Sequence, residues 1–499
     1  MSIPAITRIR VAAAFLAASG ALASLTSLAA QTAPPAAQAT QPAPPADPMI
    51  QDLRWRNVGN ANLVGRISSV DALESDWAHV IVGSAAGGVF KSVSGGTAWQ
   101  PIFDQYGAAS IGDVKLNQTD PNIIWIGTGE ECGRNSAAWG DGVYKSIDGG
   151  VTFKNVGLKD SFNIGKIVLH PKDPNIVWVA AIGNIYGPIG SRGVFKTIDG
   201  GATWVKQTEG LPNDPQTGAI DMVMDPTNPE ILYVSFWQRI RYPWRLNSGG
   251  PNSGIFKSVN GGRSWRKLTN TLPAGDMGKI GLAIARTNPK VLMAHIEHGF
   301  QPPQFLPTPG QPDAGRGGGG GGGGRGGGGG TPNPEYTDLT KLGAGIYRSE
   351  NGGDTWTFLD RYLTRPFYYN HISISPLDDK YIFSYNIGYR RSRDGGKTFG
   401  VPGGGGNGGH CWHAMWHDPH NKNRYYIGSD GGLNLTHDDG VTDIRFENLN
   451  VTQYYTVSAD NRDPYYVCGG LQDAGSSCGP SATRASGIYL SDWFNISGG

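Results

Sequence analysis

SIDGGVTF (Ser146–Phe153), TIDGGATW (Thr197–Trp204) and SRDGGKTF (Ser392–Phe399) are three copies of one phrase, Ser/Thr-x-Asp-x-Gly-x-Thr-Trp/Phe. SVNGGRSW (Ser258–Trp265) and SENGGDTW (Ser349–Trp356) carry Asn for Asp, while SVSGGTAW (Ser92–Trp99) and THDDGVTD (Thr436–Asp443) are degenerate. Repetition at a long period means a stacked or ring-shaped architecture. The phrase itself is a tight turn. Asp/Asn-Gly-Gly tolerates positive φ, and the acid or amide can bond back to the turn's amides. Asp148, Asp199, Asn260, Asn351, Asp394 and Asp438 are therefore read as turn-makers rather than as catalytic or calcium-binding groups. The aromatics that close the phrase, Trp99, Phe153, Trp204, Trp265, Trp356 and Phe399, should plug between neighbouring sheets.

A second phrase precedes each turn. Asp-Pro-x-x-Pro, or a weaker form of it, leads into an apolar run such as DPNIIWIGTG from Asp120, DPNIVWVAA from Asp173 and DPTNPEILYVSF from Asp225. Each unit then reads strand A, Asp-Pro turn, strand B, loop, strand C, Gly-Gly turn, strand D. Four antiparallel strands per unit make a β-propeller blade. The predicted fold is all-β, with seven complete repeats and a partial eighth. The motifs begin at 92, 146, 197, 258, 349, 392 and 436. The last two steps are bare blades of roughly 40–45 residues. The others carry insertions, mostly between strands B and C: Gly127–Gly142, Ile182–Gly193, Trp237–Gly254 and Glu297–Gly345. In such a meander the A–B and C–D turns share one face of the ring. The inserted B–C loops and the D–A loops build the other, where function is sought.

Composition agrees. Gly (76) and Pro (33) are abundant and only 17% of the 499 residues are charged, which suits many short strands with frequent turns. The net charge of +1, with no basic block, gives nucleic-acid binding no support. No motif calls for a cofactor. Residues 1–30 read as an export signal: Arg8 and Arg10 precede an apolar run from Val11 to about Ala30. Residues 31–48 form a Pro/Ala-rich linker, and no later segment is apolar enough to span a membrane. A periplasmic or extracellular location is expected. The seven-bladed ring is assigned to 51–450, with a disordered Gly-rich insertion at about 308–332.

Residues 451–499 are an eighth unit, with strands A and B, a further strand at Gly487–Ser491, and no turn motif. Either Trp55–Gly59, an orphan strand D, completes it, or it opens a second propeller in a longer chain; the latter is preferred. Cys468 and Cys478 are close enough in sequence for an exported protein to join them, while the state of Cys132 and Cys411 stays open.

The segments WRNVG, GRISSV, GSAAGGVFKS, WGDGVYKS, MDPTNPEILY, RPFYYN, HAMW and SADNRDPYYVCGGLQD resemble the Asp-box (BNR) propeller superfamily. Within it the chain is similar to bacterial exported proteins with a sortilin-type N-terminal region, grouped with xyloglucanase-like glycoside hydrolases. The resemblance covers about Gln51 to Gly499. It implies a second propeller, a cleft between the two, and one catalytic Asp from each. The first-propeller Asp belongs to a B–C turn of the form Thr-Asp-x-Gly-Gly. Here that turn is Ser84–Gly88, and Ala85 stands where the Asp would be.

Four sets of residues on the looped face are candidates. Glu130, Glu131, Arg134, Asn135, Trp139 and Asp141 could bind a sugar, and Glu130 or Asp141 with a carboxylate from elsewhere could hydrolyse one. The bland alternative pairs Glu130 with Arg134. Trp237, Arg239, Arg241, Tyr242, Trp244 and Arg245 suit sugar or peptide contact. His410, His413 and His417, with Glu297 or Asp430, suggest a metal, but strand alternation spoils a three-His site and none is assigned. Asp430, Gln472 and Asp473 are further candidates for the central channel, also explicable as turn residues. The preferred function is an exported propeller binding a polysaccharide or protein ligand on its looped face. The alternatives are a glycoside hydrolase acting on a β-glucan or xyloglucan-type polymer, and a sortilin-like peptide receptor.

Overall fold

A computed structural model describes residues 58, 65–134, 136–299, 343–361, 365–401, 411–473, 475–485 and 487–497. The export signal, the linker, most of the Trp55–Gly59 segment, the Gly-rich insertion, Asn135 and His410 lie outside these residues. Within them the chain is all-β, without an α-helix. No helix among them is long and apolar enough to cross a membrane.

Eight antiparallel sheets follow one another, each joining strands that are consecutive in sequence. The innermost strands of the first seven are Ile67–Leu73, Ile111–Leu116, Ile164–Leu169, Thr217–Met224, Met277–Ile284, His371–Ser375 and Trp412–His417. The fourth sheet gains an extra strand, Leu246–Ser248, paired to an extension of its strand B. The sixth has three strands and an Arg391–Gly400 bridge at its edge. Strand B is buried along its length in several blades, as in Ile124–Thr128 and Val177–Ala181, because blades cover both of its faces. Hence these strands read as continuous apolar runs rather than alternating ones.

The seven sheets close on themselves. The inner strand Trp412–His417 packs against Ile67–Leu73. One apolar cluster fills that junction, with Val70, Val82 and Phe90 from the first blade and Trp416, Tyr426 and Phe446 from the seventh. Six further clusters occupy the other blade-to-blade junctions. Inner-strand acids add polar ties between neighbours. Asp71 accepts the Leu116 amide at 2.9 Å, Asp113 the Ile167 amide at 2.8 Å, and Asp221 the Leu282 amide at 2.8 Å.

The repeated phrase is a self-bonded turn. Asp199 accepts the Thr203 amide at 2.9 Å, the Thr203 hydroxyl at 2.6 Å and the Thr197 hydroxyl at 2.7 Å. Asp148, Asp394 and Asp438 repeat the pattern. Asn260 and Asn351 keep the amide bond and donate to the hydroxyl instead. The seventh copy places Asp439 where a first glycine stands elsewhere, at φ 65°. Tyr381, Arg391 and Arg393 hold its carboxylate there. The closing aromatics fill the junctions: Trp265 and Trp356 are buried, and Trp99 meets Phe446 edge-on at 5.6 Å.

The eighth sheet differs from the expected partial blade. It has four strands, Tyr454–Ala459, Tyr466–Leu471, Ser476–Pro480 and Phe494–Ser497. Strand C is Ser476–Pro480, not Gly487–Ser491, which runs into a 3-10 turn at Leu490–Asp492. The edge that Trp55–Gly59 would have filled is taken by Phe494–Ser497. A disulfide joins Cys468 and Cys478 across strands B and C, while Cys132 and Cys411 are free. This sheet takes no place in the circuit of seven, and Tyr455 and Val457 on its inner strand are exposed.

Candidate functional site

The B–C and D–A connections converge at one mouth of the central channel. Arg66, just before the first inner strand, is 2% exposed and links residues far apart in sequence. Its Nε and Nη2 donate to the two Glu130 carboxylate oxygens, both at 3.1 Å. Its Nη1 donates to the Tyr368 hydroxyl and to Gln472 Oε1, both at 2.9 Å, and lies 3.5 Å from Asp430. Asp430 accepts the Tyr368 hydroxyl at 2.8 Å, pairs with His413 Nε2 at 2.8 Å, and accepts Gln472 Nε2 at 3.2 Å. The other imidazole nitrogen of His413, Nδ1, is 3.5 Å from Cys132 Sγ.

Electrostatics follow from this packing. Burial pushes the Glu130 carboxyl up to about 7 against the pull of Arg66. Burial also raises Asp430, but His413 and Arg66 outweigh it and hold the group well below the usual carboxylate range. His413 is pushed down to about 4 by burial, against the pull of Asp430. Burial drives the Cys132 thiol well above its usual value, so it is no ready nucleophile. Beside this network, Glu131 contacts His371 Nε2 at 2.8 Å and Lys279 Nζ at 3.4 Å. Burial raises the Glu131 carboxyl, but Lys279 and His371 outweigh it and hold the group well below the usual carboxylate range. Glu131, His371 and His413 line a channel cavity of about 260 Å³.

Toward solvent the mouth is edged by Arg134, Asp473 and Tyr455. Arg134 donates to the Tyr455 hydroxyl at 2.8 Å, lies 3.6 Å from Asp473 and stacks 5.1 Å from the Tyr368 ring. The Asp473 side chain is 44% exposed, against 1% for Asp430 and for Glu130.

The predicted residues divide into groups. Glu130, Arg134, His413, Asp430 and Asp473 come together here. The expected Glu130–Arg134 pair does not form, because Arg66 takes Glu130 and Arg134 turns to the Asp430–Asp473 side. Asp141 stands apart from Glu130, bonded by the Tyr144 hydroxyl at 2.6 Å, so the two share no partner. Trp139 is exposed and meets Phe162 edge-on. Trp237 is not an exposed contact residue: it is 1% exposed in an apolar cluster, with Nε1 bonded to Ser248. Arg239 is buried beside it, and Glu297 is buried on Ser248 and the Lys279 amide. Trp244 is 81% exposed, stacked on Tyr242 at 5.5 Å. His417 bonds Ser373 at 2.7 Å rather than joining His413. No group of three His, Cys, Asp or Glu among the described residues is arranged for a metal.

The sequence reading missed Arg66, Tyr368, Lys279 and His371. The only signals were the segments GRISSV and RPFYYN, which contain Arg66 and Tyr368.

No protein-family model matches the chain. A stretch of 133 residues is 32% identical to a xyloglucanase from a Paenibacillus species, covering 25% of this chain and 11% of that protein. An ancestral GH74 enzyme superposes with a TM-score of 0.53 at 16% identity, over 85% of this chain and 54% of that one. YCF48 from Cyanidioschyzon merolae gives 0.45 at 14% identity, over 75% of this chain and 96% of that one. The chain thus spans about a tenth of the xyloglucanase and about half of the GH74 enzyme. The likeness to the GH74 enzyme is one of propeller fold.

Proposed function

We propose that this chain is an exported propeller module that binds a polysaccharide across its looped face. The observation that carries it is the division of labour at the channel mouth. Glu130 and Asp430 are each 1% exposed and engaged by Arg66, Tyr368 and His413. A glycoside hydrolase needs two carboxyls flanking an open cleft, one of them free to protonate the leaving oxygen. The groups that do reach solvent are those of recognition: Arg134, Asp473, Tyr455, Trp139 and Trp244. Exposed aromatic rings give a pyranose an apolar surface, and the Arg134–Asp473 pair offers donors and acceptors to its hydroxyls.

Affinity electrophoresis against xyloglucan, mixed-linkage β-glucan and pectin tests the reading. Retardation by one of them, lost in Arg134→Ala and Trp244→Ala, is expected. Release of reducing sugar that disappears in Glu130→Gln would overturn it.

The glycoside hydrolase reading is kept for one reason. Asp473 is a half-exposed carboxylate in the B–C turn of the eighth sheet, one residue beyond the place that Ala85 holds in the first. Its acid/base partner would then come from outside the described residues. No observation favours the peptide-receptor reading.

A further inference from the structure

Arg239 has no counterpart among the other buried cations of the looped face. It follows Trp237 by two residues on one strand, so both side chains leave on the same side. Its guanidinium carbon lies 4.6 Å from the Trp237 ring centroid, and the residue is 2% exposed. Nε, Nη1 and Nη2 all lack a hydrogen-bond partner. The neighbouring Arg192, by contrast, places Nη1 on the Ile182 carbonyl at 2.7 Å and Nη2 on the Gly187 carbonyl at 2.6 Å. Glu297 acts on Arg239 electrostatically, but its Oε2 accepts from the Ser248 hydroxyl and the Lys279 amide.

An unpaired guanidinium out of water is expensive, and each such group in a native fold calls for an explanation. The surroundings supply one. The loops Ile182–Gly193 and Trp237–Gly254 contain Arg192, Arg239, Arg241 and Arg245 and no Asp or Glu. What covers Nη2 from the neighbouring loop is the bare backbone of Gly133, where a Cβ would come within 3.1 Å of it. The same hairpin ends in the exposed Tyr242–Trp244 stack. A guanidinium fork matches a carboxylate in two-point contact, and an exposed indole matches the apolar face of a sugar ring.

We infer that Arg239 receives the carboxylate of a uronic-acid-bearing polysaccharide whose sugar rings lie on the Tyr242–Trp244 platform. The inference rests on the looped-face binding reading and names its ligand class. Burial lowers the affinity of Arg239 for its proton, and the pull of Glu297, which makes no hydrogen bond to it, does not offset this.

The test uses the whole chain, an oligogalacturonate and its fully methyl-esterified form, with titration calorimetry and thermal melting. The acid should bind about tenfold tighter than the ester or better. Arg239→Met should bind both alike and, without ligand, melt at or above the wild type, because an unpaired buried charge has been replaced by an apolar side chain. Arg239→Lys should keep part of the preference. Trp244→Ala should weaken both forms by the same factor. Equal binding of acid and ester by the wild type overturns the inference, as does an Arg239→Met variant that melts well below it. If neutral glycans bind but charge makes no difference, only this inference falls. If no glycan binds, the looped-face reading falls with it. Binding of polyglutamate but not oligogalacturonate, lost in Arg239→Met, would assign the carboxylate to a protein and overturn the polysaccharide.

Discussion

Arg66→Met is the perturbation that best measures how the channel mouth is held together. Arg66 meets Glu130 from the second blade, Tyr368 from the connection into the sixth, Asp430 from the seventh, and Gln472 from the eighth sheet. Methionine keeps the apolar stem and removes every one of these bonds. Asp430 retains Tyr368 and His413, so it remains stabilised as an anion. Glu130 loses both of the hydrogen bonds to its carboxylate at 1% exposure. Removing one member of a buried ion pair costs about 3–5 kcal/mol. Glu130→Gln leaves Arg66 its bonds to Tyr368 and Gln472 and should cost about 1–3 kcal/mol. In the double variant no charge is orphaned at Glu130. Its cost should fall short of the summed single costs by about 0.5–3 kcal/mol. Urea unfolding of the four proteins, followed by tryptophan fluorescence, gives the cycle. Additive single costs would refute the reasoning, since they would mean that the bidentate pair contributes no coupling.

Other consequences are open to measurement. The folded Glu130 carboxyl is raised to about 7 from an ordinary 4.5, so its contribution to stability is complete below about 4.5 and is lost as pH rises through about 7. Wild type should therefore lose stability relative to Glu130→Gln across that window, and a pH-independent difference would contradict the shift. Phe446 fills the junction of the seventh and first blades, where a Cβ on Gly96 would meet its ring at 2.1 Å. Phe446→Ala should cost about 3–5 kcal/mol in the same denaturation assay if the ring closes there, and well under 1 kcal/mol if it does not. The Cys468–Cys478 bridge ties two strands of the eighth sheet alone. Reduction should raise amide hydrogen exchange in 454–497 and leave the inner strands of the ring protected.

The ring was legible because its signals are local. Each Gly-Gly turn is bonded within eight residues, as when Thr152 reaches Asp148 and Gly150 reaches Ser146. The apolar B strands announce burial on both faces. The site was half legible for the opposite reason. Glu130, Asp430 and Asp473 stood out as acids in B–C turns. Arg66, which organises two of them, has partners 64, 302 and 406 residues away, and only ring closure brings them together. Trp237 and Arg239 were read as exposed because their loop is long. The loop instead folds into a hairpin whose strands Arg239–Arg241 and Leu246–Ser248 pair, burying its base and exposing its tip.

The repeat also explains where chemistry is found. Strand B ends, the chain turns, and the next side chain looks toward the channel mouth. The two positions after strand B hold Ala85 and Ala86 in the first blade, Gly129 and Glu130 in the second, Asp430 and Gly431 in the seventh, and Gln472 and Asp473 in the eighth sheet. The turn motif keeps Asp or Asn in six of its seven copies because its function is the same in every blade. The B–C turn varies because the blades meet at one mouth from different directions, and each must supply a different partner. An acid repeated at every blade would crowd like charges around one buried arginine, and mutual repulsion would force most of them to take up protons. Arg66 and Arg134 already serve three carboxylates, the buried Glu130 and Asp430 and the half-exposed Asp473. Replacing Ala85 with Asp would add an unmatched carboxylate at a position that is now 1% exposed. The variant should be destabilised at neutral pH and recover as the pH falls and the new group takes up a proton, and no loss at neutral pH would show that the mouth has room for more charge than its pairing suggests.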